Sequence, residues 1–143
     1  MITTILKTAA TAAGCDQVVY ESDKLANLIT DQSLQGNIFC LILQANSLRL
    51  NAISNGIRER YPSIQVEIMQ QVELENTAEN NEAVFENLKE ICKAFVWQVI
   101  ESESFQKIGE VPCEKILENK YDANMLGWSM TFDLTYIQNT NQC

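Results

Sequence analysis

Residues 126–137 read L-G-W-S-M-T-F-D-L-T-Y-I, and the spacing within this run decides the fold. Its even positions, Leu126, Trp128, Met130, Phe132, Leu134 and Tyr136, are all large and apolar. Between them stand Gly127, Ser129, Thr131, Asp133 and Thr135. Side chains alternate across a strand, so the pattern predicts a long ribbon with one buried face and one wet face. A large apolar side chain stabilises by roughly 1.5–3 kcal/mol when fully buried, enough for this face to anchor a core.

A second ribbon is expected over residues 64–74. Ile64, Val66, Ile68, Val72 and Leu74 face one way there, and Gln65, Glu67, Gln71, Glu73 and Glu75 the other. Pro62 limits what precedes it, and Asn55-Gly56 and Asn46-Ser47 read as turns around a strand at 48–53. The run I-F-C-L-I-L-Q at 38–44 is apolar almost throughout and short, which fits a strand buried on both faces. Residues 109–118 read as a strand in which Pro112 marks an edge or a bulge.

Helical spacing takes over in two places. Ile2, Ile5, Leu6, Ala9, Ala10 and Ala13 share one helical face, and Gly14 is placed to stop the helix. The same first residues, ending A-T-A-A-G-C, faintly resemble a lipoprotein signal, but Lys7 interrupts them and no positive start precedes it. A long helix is expected over 78–103. Its apolar stripe is Val84, Phe85, Leu88, Ile91, Cys92, Phe95, Val96 and Val99, with Trp97 at the stripe's edge. Asn76 or Thr77 caps it, with Glu79 positioned as in a capping box. A short strand at 17–20 and a second helix over about 22–31 complete the pattern. The expectation is a single α+β domain over 1–138 with a polar tail at 139–143. Its mainly antiparallel sheet has four to five strands, with the long helix and N-terminal helices packed on it.

The chemistry of the chain is sparse. It contains no histidine, which removes the commonest general base, the usual catalytic triads and most catalytic zinc sites. The five glycines are far apart, so no phosphate-cradling loop forms from neighbouring ones. The five cysteines (Cys15, Cys40, Cys92, Cys113, Cys143) are widely spaced without a C-x-x-C pair, which favours free thiols and a reducing compartment. A net charge of −9 argues against general binding to phosphate backbones. No apolar run approaches the ~20 residues of a membrane helix. No catalytic, cofactor-binding or metal-ligating residue is assigned.

Two charged groups stand out. Arg58 and Arg60, with Arg49 nearby, can pair with an acidic surface on a neighbouring subunit, or simply be an exposed turn. Glu73, Glu75, Glu79, Glu82, Glu86 and Glu90 form the most acidic stretch; their spacing matches no calcium loop, and a solvated face is the plain reading. Trp97 and Trp128 are candidates for an interface anchor, since aromatic residues dominate interface hot spots, although on its alternating ribbon Trp128 reads as core.

The closing pattern carries a resemblance. A G-x-x-P at 109–112, then D-A-N-M-L-G-W-S-M-T-F-D-L-T-Y at 122–136, preceded by the long helix, resembles small virion proteins of tailed bacteriophages of the tail-terminator and head–tail connector class. The likeness implies a structural protein without an active site, located in the virion and assembled in the bacterial host cytoplasm. It implies a ring of six or twelve copies that meets portal, connector or tail proteins. DNA would pass through its channel without specific binding, and the acidic stretch is a candidate for the channel-facing wall. A small acidic dimeric secretion-type chaperone is the rival, although such chaperones usually close with a helix. An enzyme is the third option.

Overall fold

The final ribbon forms as its spacing requires, and the rest of the sheet assembles around it. The computed structural model describes residues 2–20, 36–43, 47–54, 56–72, 78–120 and 123–137. In chain order these form α1 (Ile2–Ala13), β1 (Gln17–Val19), β2 (Ile38–Ile42), β3 (Arg49–Ile53), β4 (Gly56–Gln71), α2 (Ala78–Glu101), β5 (Cys113–Lys120) and β6 (Ala123–Thr135). The domain is α+β, with two helices and one mixed sheet of six strands among the described residues. The sheet order is β1-β2-β4-β6-β5, and β3 pairs with β4 off that path. The expected second helix over 22–31, the cap at residues 76–77 and the tail at 139–143 lie outside the described residues.

Three expectations need correcting. The sheet has six strands rather than four to five, and β1 runs parallel to β2 while the other pairings are antiparallel. Residues 20–37 separate those two strands, a connection long enough for the crossover that a parallel pair requires. Second, β4 runs unbroken through Pro62. The register shifts between Tyr61↔Leu134 and Ile64↔Phe132, so Pro62 and Ser63 oppose Asp133 alone. Such a bulge accommodates a residue that cannot donate to the ladder. Third, β5 begins at Cys113, after Pro112, whose carbonyl accepts from Thr131 N–H at 3.1 Å.

The core sits where the patterns converge. Leu6, Ala9 and Ala10 of α1 meet Leu88, Cys92, Phe95 and Val99 of α2 above one sheet face. That face supplies Cys40, Ile42, Ile64, Val66, Ile68, Met130, Phe132 and Leu134. Phe95 and Phe132 pack edge to face at 5.6 Å between ring centroids. Trp128 is half-buried against this core, and its indole N–H donates to the Phe85 carbonyl at 3.0 Å, tying α2 to β6. The other sheet face is not wet over its central part. Val19, Phe39, Leu41, Met69, Ile116 and Met125 form a second buried cluster there. Glu67, expected on a solvated face, is only 4% exposed.

The helix ends follow local chemistry. Gly14, at φ 109°, closes α1, with Cys15 N–H donating to the Ala10 carbonyl at 3.1 Å. Asp16 then pins β2 through mutual bonds: Ile38 N–H donates to its carboxylate, and its own N–H donates to the Ile38 carbonyl. At the far end of α2, Glu103 takes the left-handed conformation at φ 54°. No helix among the described residues is long and apolar enough to cross a membrane.

Candidate functional site

The arginine group lies where a hairpin leaves the sheet. Across β3 and β4, Arg49 stands directly opposite Arg60, and Asn51 opposite Arg58. Like charges facing each other across strands destabilise unless a counter-charge intervenes. Asp133 of β6 provides it. Arg60 Nε donates to Asp133 Oδ1 at 3.0 Å and Nη2 to Oδ2 at 2.7 Å, a two-pronged pair. The Arg60 hydrogen bond, followed by the Arg60 and Arg49 charges, holds the Asp133 carboxyl below its ordinary range. Of the three candidate interface arginines, Arg60 is therefore engaged within its own chain. Beside the pair lies a polar cleft of about 150 Å³ lined by Gln106, Lys107 and Thr135 among others.

The hairpin itself is an arm. Every residue of β3 is exposed, and among the described residues β3 pairs only with β4. Leu48 is 48% exposed, Leu50 60% and Ile53 38%. Beyond Arg60↔Thr135, β6 no longer accompanies β4 as a strand, so β3 and the start of β4 continue as a two-stranded ribbon. An exposed apolar edge of this kind invites pairing with another chain.

The acidic stretch is a mixed surface rather than a purely negative one. Glu79, Glu82, Glu86 and Glu90 are exposed along α2. Glu86 pairs with Lys89 at 2.7 Å and Glu90 with Lys93 at 3.2 Å. The Lys89 hydrogen bond lowers the Glu86 carboxyl below its usual value. Glu73 and Glu75 lie outside the described residues.

Trp97, a candidate interface anchor, borders an open surface. Trp97 is 57% exposed and Ile100 46%. With Val96, Val111, Cys113 and Met130 they line an apolar groove of about 280 Å³ between α2 and the start of β5. What the sequence reading missed is Ile100, three residues from Trp97 and also outside the core stripe, which with it marks a second apolar strip on the same helix.

Three of the thiols among the described residues are shifted away from the reactive thiolate. Burial, with the fields of Cys113 and Cys15, pushes Cys92 up to about 12. Cys40 is raised too, first by its hydrogen bond with Cys15 and then by burial. Thiols so raised stay protonated at neutral pH. Cys113 is the exposed one, and burial of part of its surface raises it as well. Among the described residues no group of three Cys, Asp or Glu side chains is placed to hold a metal ion. No protein-family profile matches the chain, and no curated protein matches it.

Proposed function

We propose that this chain is a structural assembly protein of the tail-terminator or head–tail connector kind, forming a homo-oligomeric ring in the virion of a tailed phage. The observation that carries the reading is the projecting β3–β4 arm, whose exposed Leu48, Leu50 and Ile53 have no partner strand beyond β4 among the described residues. A surface of this kind supports association through a sheet edge, and a contact between unlike surfaces closes into a ring when its rotation permits. Portal, connector or tail proteins would stack on the ring's two ends. The net charge of −9 suits a channel through which DNA slides without sticking. Glutamates of α2 are candidates for the channel wall.

The test is the particle mass in solution by light scattering, followed by negative-stain imaging. Closed rings of six or twelve copies are expected. A stable dimer would favour the chaperone reading instead, with the apolar groove beside Trp97 as the place for a partner segment.

A further inference from the structure

The four described cysteines come from four different parts of the chain, and the fold gathers three of them into one core. Cys15 follows the glycine stop of α1, Cys40 lies mid-strand in β2, and Cys92 belongs to the inner stripe of α2. All three are buried in the cluster between the helices and the sheet. Cys113 opens β5 opposite Met130 and lines the Trp97 groove together with Cys92.

Backbone bonds hold the first two cysteines in place independently of their sulfurs. Gly14 turns the chain, and Cys15 N–H closes back on the Ala10 carbonyl. One residue later Asp16 clasps Ile38. Its N–H donates to the Ile38 carbonyl and its carboxylate accepts from Ile38 N–H, both at 2.8 Å. Cys40 stands two residues beyond Ile38, so strand alternation returns its side chain to the same sheet face, beside Val18 of β1. There the Cys15 and Cys40 thiols meet in a hydrogen bond. Both residues are enclosed, Cys15 at 7% exposure and Cys40 at 0%. Three Cys, Asp or Glu side chains around one point would mark a metal centre, and the described residues hold no such set. Two thiols in contact, on backbone fixed by other bonds, are the arrangement a disulfide needs.

We infer that Cys15 and Cys40 are a disulfide-forming pair, which joins the end of α1 to the sheet when a small disulfide such as glutathione disulfide is supplied. The step is thiol–disulfide exchange. One cysteine attacks glutathione disulfide and releases one glutathione; the second attacks the mixed disulfide and releases another. The two protein thiols are oxidised, the small disulfide is reduced to two thiols, and the two protons end on them. The bond with Cys15, and then burial, raises Cys40 well above the ordinary thiol value. The closed core is therefore slow to react, and the disulfide forms as the chain folds, while both thiols still meet water. The native contact then favours ring closure over the mixed disulfide, because the second thiol is already in place. The pairing lies inside one chain and does not depend on ring assembly.

The experiment refolds the reduced full chain from urea in reduced and oxidised glutathione, blocks remaining thiols with N-ethylmaleimide and digests with trypsin without reduction. Cleavage after lysine and arginine puts Cys15 in peptide 8–24, Cys40 in 25–49, Cys92 in 90–93 and Cys113 in 108–115. The expected product is peptide 8–24 linked to peptide 25–49, with Cys92 and Cys113 carrying the maleimide. Maleimide on both Cys15 and Cys40, or a link from either to Cys92 or Cys113, overturns the pairing. Thermal melting supplies a second readout. Oxidised wild type should melt several degrees above its reduced form, and this difference should be absent in Cys15→Ala and in Cys40→Ala. Comparing the two redox forms of one variant removes the cost of the substitution itself. An undiminished difference in either variant overturns the inference, and the wild-type peptide map decides it even where a variant does not fold.

Discussion

Two single residues show how closely this sheet is built. A Cβ on Gly127 would fall 2.1 Å from the Ile68 carbonyl oxygen and 2.8 Å from Met69 Cα, both backbone atoms of the central strand β4. Backbone cannot rotate away as a side chain tip can, so β4 and β6 would have to separate. Gly127→Ala should therefore destabilise by about 3 kcal/mol, at the upper end of overpacking effects, as read by urea denaturation. Asp133 behaves differently because it is half exposed and screened. Its carboxyl lies below the ordinary value in the folded chain, so its pairing stabilises above the unfolded carboxylate pKa. That contribution fades as pH falls through the lowered one. Asp133→Asn should lower the denaturation midpoint slightly at neutral pH, and the difference from wild type should start to shrink as pH falls below about 4 and vanish only beneath the lowered carboxyl value. A gap that persists in acid would mean that the carboxylate acts through something other than its charge.

At the scale of elements, the seam between α2 and β6 holds the helices to the sheet. Phe95 is fully buried against Phe132, whereas Trp128 is half-buried and contributes an indole hydrogen bond to Phe85. The two contacts should differ in size. Phe95→Ala removes a large buried side chain and leaves a cavity, with an expected loss of about 3–5 kcal/mol. Trp128→Phe keeps an aromatic ring at a half-buried site but loses part of the indole's volume and its one hydrogen bond, with an expected loss of about 1–2 kcal/mol. Chemical denaturation of both variants would check the order, and a larger loss for Trp128→Phe would mean that the indole bond organises the helix. The helix stripe at 84–99 and the strand alternation at 126–136 were legible because both follow from the period of a single element. Glu67 was not. Alternation puts it opposite Ile68, but whether that face meets water depends on residues that arrive from β1, β2, β5 and β6.

At the scale of the whole molecule, charge and shape divide the surface. The net charge of −9 coexists with a hairpin that carries all three arginines, Arg49, Arg58 and Arg60, while the lysines lie elsewhere in the chain. The glutamates of α2 are exposed. Converting Glu79, Glu82 and Glu86 together to Gln should leave the particle mass unchanged, because these side chains hold no core element in place. The same variant should bind duplex DNA more strongly at low salt if these residues line the channel, since fewer negative charges oppose the phosphates. Loss of the particle in this variant would place the glutamates in a subunit contact instead.

Local sequence determined the elements: the long final ribbon, the two helices, the glycine stop after α1 and the absence of imidazole chemistry. Each depends on residues a few positions apart, whose period is set by backbone geometry. Tertiary structure alone decided the rest. Arg60 finds Asp133 across 73 residues of chain, through a register that neither segment encodes by itself. The bulge at Pro62 exists only because β6 lies alongside β4. The arm and the Trp97 groove became visible as surfaces only when the sheet order and the packing of α2 set which residues stay exposed. Long-range pairing sets which faces are covered, and exposure, unlike periodicity, is a property of the assembled fold.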